Sequence, residues 1–202
     1  PEFTNEDIIQ RTGIKQRCWL TEGESIIDLA VASANEALIA QNITLQEIDL
    51  IICATCSPEQ YQSPALSCLV LNDLNKLYGT RNIPAYDLNA ACSGYIFALQ
   101  SAQDFLCTRP NARVLLITAE SLSRRINPDD FETAFLFADA ASATILCGQQ
   151  HINECIAELK QIYRGTDAED GSILNIPTQI EAGITMQGKK LFSIAVKTMS
   201  MA

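Results

Sequence analysis

Two runs, IDLIICAT (48–55) and RVLLITAE (113–120), are continuously apolar, rich in β-branched residues and about as long as a strand. A strand that alternates polar and apolar residues leaves one face in water. These runs do not alternate, so each needs cover on both faces. That requirement disfavours an open antiparallel sheet and asks for helices on either side. The intervening sequence supplies them. Ser25, with Asp28 three residues on, reads as a capping box that opens a helix from Ile26 to Gln41. Pro64 to Leu77 reads as a second helix, Ile83 to Leu88 as a further buried strand, and Cys92 to Cys107 as a third helix. FLFADAASATILCG (135–148) begins and ends as strand around a middle of small residues, and CIAELKQIY (155–163) alternates like a strand, with a helix as the alternative. Strands alternating with helices predict an α/β fold with a mostly parallel sheet, in one domain.

The helix that begins near Cys92 is apolar around most of its circumference, leaving only Gln100, Ser101, Gln103 and Asp104 polar within Gly94–Leu106. Such a helix belongs at the centre of a large core. A single sheet covers only one of its sides, so a further layer is expected to pack on it.

Bulk properties narrow the function classes. The net charge of −10 argues against non-specific nucleic-acid binding, which needs basic patches. No apolar run reaches the ~18 residues of a membrane span, and no basic segment followed by an apolar one marks a secretion signal. The eight cysteines lie mostly inside apolar runs of a chain that is not short, which reads as reduced thiols in a cytoplasmic protein. Cys53 and Cys56 form a C-x-x-C without the second pair that a zinc site would need, so no metal is expected. The only histidine, His151, sits in the polar GQQHINEC and reads as a surface loop residue. Asp87 and Glu120 end strands near Cys92 and read as structural hydrogen-bond acceptors rather than as an acid and a base. Pro1–Phe3 matches a restriction-site scar, and the apolar helical pattern KKLFSIAVKTMSMA (189–202) stops without a cap.

In YDLNAACSGYIFALQ (86–100), Cys92 falls where a strand gives way to a helix. One reading is a small core residue, the commonest fate of a cysteine. The other is a nucleophile: a thiol at the first turn of a helix meets the positive end of the dipole and unpaired N–H groups. Both favour thiolate, and the same N–H groups suit a developing oxyanion. Ala90, Ala91, Ser93 and Gly94 leave room for a substrate to approach.

NAACSGY (89–95) resembles the nucleophile motif of the ketoacyl-ACP synthase III group of thiolase-like condensing enzymes. RTGIKQR (11–17), LIICATCSPEQYQSPA (50–65), FLFADAASATIL (135–146), GSILNIP (171–177) and MQGKKLFSIAV (186–196) are similar to its other motifs, in the expected order. The resemblance covers nearly the whole chain and implies the N-terminal half of a thiolase-like fold, over residues 4–202, whose second half would pack on the apolar helix. It implies that Cys92 takes an acyl group from a thioester and passes it on, in synthases to malonyl-ACP with loss of CO2. A histidine and an asparagine from the second half would assist. No cofactor is implied beyond acyl-CoA or acyl-ACP as substrate; the partners are acyl carrier protein and, in a homodimer, a second copy. Fatty-acid initiation and polyketide-type acyl transfer look alike at this level. A non-catalytic half that scaffolds a carrier protein or complements another subunit is the alternative.

The same resemblance assigns Arg11 and Thr12 to the pantetheine entrance and matches Asp139 to the aspartate of the glycine-rich strand, with a backbone-binding role. Ser63 stands where the group often has a phenylalanine that caps the partner subunit's acyl pocket, which points to a longer pocket unless Tyr61 or Gln62 fills the space. Asp7 and Phe131 stand where many bacterial members hold the adenine of coenzyme A between a tryptophan and an arginine. Ala138, Ala140 and Ser142 replace glycines favoured by the family.

Overall fold

The computed structural model describes residues 4–58 and 63–200, so Pro1–Phe3, Tyr61 and Gln62 lie outside the described residues. The chain forms two compact units. The larger comprises Leu20–Glu120 and Ala140–Arg164. Its centre is a sheet of β1 (Leu50–Ala54), β2 (Ala85–Leu88), β3 (Arg113–Ser121) and β4 (Asp139–Cys147), in the order β2-β1-β3-β4. β1 runs parallel to both neighbours, with Ile52 opposite Tyr86 on one side and Leu116 on the other.

The two uninterrupted runs become the two central strands. Every residue of β1 is buried. Ile51 and Cys53 face one core, with Leu115, Ile117 and Ala119 of β3. Leu50, Ile52 and Ala54 face the other, with Val114 and Leu116. Full burial of each Leu or Ile side chain contributes about 1.5–3 kcal/mol, which is why strands of this composition lie inside a sheet.

The first core is closed by α2 (Ile26–Ala40) and α3 (Leu66–Tyr78). In α2, Ile26, Ala30, Ala34 and Leu38 recur every fourth residue and are wholly buried. Its capping box forms as the sequence indicates: the Ser25 Oγ accepts the Asp28 N–H at 3.1 Å, and the Asp28 carboxylate accepts the Ser25 N–H at 3.2 Å. The second core is closed by α4 (Gly94–Cys107), which presents Gly94, Ala98 and Ala102 to the sheet. The other side of α4 carries Tyr95 and Ile96, which stay 37% and 39% exposed.

Two stretches differ from the sequence expectation. Strand structure does not begin at Phe135; it starts at Asp139 and runs unbroken through the small residues to Cys147. Their size does not interrupt the strand, because Ala141, Ala143 and Ile145 pack on the first core. Residues 155–163 form neither strand nor helix. Their alternating apolar side chains gain no cover: Ile156 is 97% and Tyr163 72% exposed.

After β4, Gly148 is buried and its N–H donates to the Ala112 carbonyl at 2.9 Å. A Cβ at position 148 would collide with the Pro110 carbonyl oxygen, 2.6 Å from its carbon and 2.8 Å from the Arg109 oxygen. All three are backbone atoms that no rotamer change can move aside. Gly148→Ala is therefore expected to destabilise the fold by about 1–3 kcal/mol, the usual cost of forced overpacking. A urea midpoint lowered at unchanged slope would report it; a midpoint equal to that of the parent would contradict this reading.

The smaller unit draws on Pro1–Trp19, Ser121–Asp139 and Gly165–Ala202. It contains α1 (Asn5–Thr12), a two-stranded antiparallel hairpin of β5 (Leu174–Asn175) and β6 (Thr185–Met186), and α5 (Gly188–Met199). Arg125 and Asp139 are its buried charged residues among those described, and both are bonded: the Arg125 guanidinium donates to the Pro177 carbonyl at 2.9 Å.

Candidate active site

β2 ends at Leu88, whose carbonyl accepts the Thr55 N–H at 3.1 Å. The Asn89 side-chain oxygen then accepts the Ala91 N–H at 3.1 Å, and Ala91 takes φ of +46°, the left-handed region that non-glycine residues seldom enter. Ala91–Ser93 form one 3-10 turn, closed by the Ser93 N–H on the Ala90 carbonyl at 3.1 Å, and the chain passes directly into α4. Cys92 stands in the middle of this turn and is exposed. Cys92 belongs to neither of the two cores of this chain, and the elbow geometry is that of a presented side chain. Ser93 makes no side-chain cap bond to the first turn of α4. Gly94 brings the helix start against β1, where an added Cβ would lie 3.4 Å from the Ala54 Cβ.

The two carboxylates near the elbow are both occupied. Asp87, on β2, caps α3 by accepting the Leu66 and Ser67 N–H groups at 2.7 and 2.8 Å. Glu120, near the end of β3, accepts the Cys56 N–H at 2.9 Å and the Thr55 hydroxyl at 3.4 Å, and the Ser57 hydroxyl is a third donor. Both are acceptors that shape the rim, as their positions in the sequence implied. Cys56, beside Glu120, is pushed up to about 12 by burial, then by the Glu120 charge and hydrogen bond, with a further contribution from nearby Cys92. Cys53, inside β1, is pushed up by burial, with Asp87 adding to the effect. Among the described residues no group of three or more His, Cys, Asp or Glu is placed to hold a metal ion.

On the face of the sheet that carries α4, the Thr118 and Ser142 hydroxyls meet at 2.8 Å, and the Tyr95 and Thr144 hydroxyls at 3.2 Å. Ser142 is therefore accommodated by a hydroxyl partner on β3, a pairing with no local signature in the sequence. His151 is not a free loop residue. It is half-buried; its Nε2 lies 3.0 Å from the Asn111 carbonyl oxygen, and its Nδ1 lies 3.0 Å from the Arg113 guanidinium. Asn111 and Arg113 lead into β3, whereas Cys92 follows the far end of parallel β2, so His151 sits at the sheet edge away from Cys92.

Ser63 is an exposed residue just before Pro64 in the larger unit. In the smaller unit, Arg11 is exposed at the last turn of α1. The Thr12 hydroxyl is engaged locally, donating to the Ile8 carbonyl at 2.7 Å and accepting the Ile14 N–H at 3.1 Å. Asp7 has a structural use that motif alignment missed, although Thr4 and Asp7 have capping-box spacing. Its carboxylate accepts the Thr4 N–H and hydroxyl at 3.0 and 2.9 Å, which hold its pKa below the usual carboxylate value. Asp139 is buried and accepts the Ser123 N–H at 2.8 Å and hydroxyl at 2.5 Å. Arg17, in the RTGIKQR segment, has a structural use. Its guanidinium donates to the Ala134 and Phe137 carbonyls at 2.5 and 3.0 Å and lies 5.0 Å from the Trp19 ring centre.

The family model described as 3-oxoacyl-[acyl-carrier-protein (ACP)] synthase III matches residues 86–163, from β2 through the Cys92 elbow to beyond β4. The beta-ketoacyl-[acyl-carrier-protein] synthase III of Oleidesulfovibrio alaskensis is 37% identical over 98% of this chain. Over nearly its whole length this chain is similar to ketoacyl-ACP synthase III enzymes. It spans 62% of the length of that relative. Its fold is the thiolase-like one. The synthase III of Aquifex aeolicus superposes with a TM-score of 0.75 at 32% identity, over 95% of this chain and 58% of the other. The priming beta-ketosynthase of the R1128 polyketide pathway superposes with a TM-score of 0.84 at 27% identity, over 96% and 58%. In this chain NAACSGY has a definite geometry: a left-handed alanine, an exposed thiol and a helix seated on the central strand.

Proposed function

We propose that Cys92 accepts an acyl group from a thioester, as the nucleophile of a ketoacyl-ACP synthase III-type acyltransferase. The observation that carries this reading is the exposed thiol on the Ala91 elbow, ahead of a helix whose first turn has no side-chain cap from Ser93. The sulfur attacks the thioester carbonyl, the C–S bond to the donor breaks, and the donor leaves as its thiol. The first-turn amides of α4 suit the oxyanion that develops in between. In the complete enzyme the acyl group passes to the carbanion left when malonyl-ACP loses CO2, and the Cys92 thiol is released. Neither Asp87 nor Glu120 serves that second step, since both are bound to backbone donors. His151 does not serve it either, being at the other edge of the sheet.

Residues 4–202 act in this reading as one condensing-enzyme domain of a cytoplasmic homodimer, with Arg11 and Thr12 at the pantetheine entrance and Ser63 beside the acyl pocket. The donor is an acyl carrier protein rather than acyl-CoA. Asp7 is an anion with no aromatic face for adenine and repels nucleotide phosphates, while Phe131, 54% exposed, brings no positive charge to meet them. Intact mass after incubation with each donor tests this. Acyl-ACP is expected to acylate Cys92 at least about tenfold faster than acyl-CoA, the cost of losing roughly one favourable charged or stacking contact. Added malonyl-ACP is expected to yield no ketoacyl product from residues 1–202 alone. A CoA donor reacting faster would overturn the donor assignment, and steady ketoacyl product would overturn the division of labour.

A further inference from the structure

At the sheet edge away from Cys92, the Gly148 N–H reaches the Ala112 carbonyl at 2.9 Å and the Gln150 N–H reaches the Pro110 carbonyl at 3.0 Å. The 3-10 turn Gln149–Glu154 thereby folds back over the start of β3, and His151 stands inside the fold-back among three partners. Its Nε2 lies 3.0 Å from the Asn111 carbonyl oxygen. A carbonyl only accepts, so the neutral ring carries its proton on Nε2 and its lone pair on Nδ1. Nδ1 faces the Arg113 guanidinium at 3.0 Å, which can donate to it, and the Glu154 carboxylate at 3.1 Å, which cannot. Two acceptors thus face each other at hydrogen-bond distance, and only a second ring proton turns that contact into a bond. The surrounding charges accommodate such a proton. Arg113 meets Glu154 at 2.8 Å and Glu47, from the 3-10 turn Leu45–Glu47, at 3.6 Å. One cation between two carboxylates leaves an excess negative charge, which a protonated His151 balances. Asp49, which accepts the Arg113 N–H at 2.9 Å, has its own cation in Arg81 at 3.4 Å. At the end of β4, Cys147 keeps its proton because burial pushes its thiol up. Cys155 meets His151 through its thiol, 3.4 Å from the His151 carbonyl oxygen. The Arg113 and His151 side chains are only 12% and 19% exposed, so salt screens their charges little.

We propose that His151 is a proton-operated clasp: on taking a proton at Nδ1 it exchanges the Arg113 guanidinium for the Glu154 carboxylate and fastens the turn Gln149–Glu154 to the start of β3. The proton comes from water, no covalent bond between heavy atoms is made or broken, and Nε2 keeps the Asn111 carbonyl in both states. Released from Nδ1, Arg113 keeps Glu154 and Glu47 as partners. Glu154 is anionic in both states, since hydrogen bonds from His151 and Arg113 hold its carboxyl below the usual carboxylate range. Protonation replaces a hydrogen bond with one ionised partner by one with two, the stronger kind. The turn is therefore held more tightly on the acid side of the histidine titration and more loosely on the alkaline side. The clasp anchors one end of residues 155–163, which form neither strand nor helix. Their other end is tied at Arg164, whose guanidinium lies 5.7 Å from the Phe97 ring centre.

His151 is the only histidine, so nitrogen NMR of the whole chain reads a single imidazole ring. At about pH 8 the ring proton is expected on Nε2, and at about pH 5, beyond the range in which an imidazole gains its charge, a slowly exchanging Nδ1–H is expected as well. A neutral ring protonated on Nδ1, or a charged ring whose Nδ1–H exchanges as fast as that of free imidazole, would overturn the proposal. Hydrogen exchange at the amides of residues 149–155, divided by the intrinsic rate at each pH, measures the fastening itself. In the parent chain, protection is expected to rise about tenfold between about pH 8 and about pH 5, the effect of roughly one charge-assisted hydrogen bond. His151→Gln and Glu154→Gln are each expected to remove that rise. Parental protection that does not change with pH, or a rise that survives in either variant, would equally remove the clasp.

Discussion

Cys92→Ala is expected to abolish the acyl adduct that the parent chain forms with an acyl thioester, a loss of at least about 100-fold in labelled protein. The expectation is sharp because the substitution leaves the scaffold alone. The Cys92 side chain is exposed and Ala91, not Cys92, holds the left-handed turn, so the unfolding midpoint should stay within about 0.5 kcal/mol of the parent. The other cysteines provide the control. If they react non-specifically, the adduct survives in the variant and moves to an exposed thiol such as Cys18 or Cys68. An adduct of parental yield on the Cys92→Ala chain would remove the assignment.

The second large effect is expected at Glu120. Its carboxylate gathers the Cys56 N–H and the hydroxyls of Thr55 and Ser57, tying the segment after β1 to the end of β3. Glu120→Ala leaves these donors without their charged acceptor in a partly buried place and is expected to cost about 2–4 kcal/mol. The same change releases Cys56. In the parent, a thiol held near 12 is thiolate only at about one part in a thousand at pH 9. Iodoacetamide should therefore modify Cys56 slowly, with a rate that rises about tenfold per pH unit until pH approaches 12. Losing the Glu120 charge and hydrogen bond lowers that threshold, so Cys56 in the variant should be modified at lower pH. A variant as stable as the parent, or a parental Cys56 that reacts as fast as Cys92, would show that Glu120 does not hold this segment.

The parts of this architecture written in the sequence are those where one residue pattern admits one solution. IDLIICAT and RVLLITAE have no polar side to turn toward water, and they became the doubly covered centre of the sheet. Ser25 and Asp28 marked the start of α2 to the residue, because a capping box is a contact between near neighbours. Failures came where a pattern depends on what lies beside it. CIAELKQIY alternates as a strand should, yet alternation needs a neighbouring strand to pair with, and residues 155–163 form no strand. FLFADAASATILCG held a continuous strand where small residues had suggested an interruption, because their faces are set by β3 and the helices. At the site, the role of Asp87 could be narrowed to structural bonding from its place at a strand end. Its partners in α3, Leu66 and Ser67, lie some twenty residues upstream and are joined to it only by the fold. The Thr118–Ser142 pairing was hidden for the same reason.

A single residue, Ala91, carries the backbone from the extended chain after β2 into the turn that becomes α4. The direction of the thiol therefore hangs on one pair of dihedral angles, like a pointer mounted on a single bearing between two rigid mounts. A pointer so mounted has little play, since the strand fixes one end and the helix the other. It also has little room for redesign. A β-branched residue at 91 would resist the left-handed angle and tilt the sulfur away from the α4 amides. The run of small residues around Cys92 thus acts as an alignment device as well as an opening for substrate.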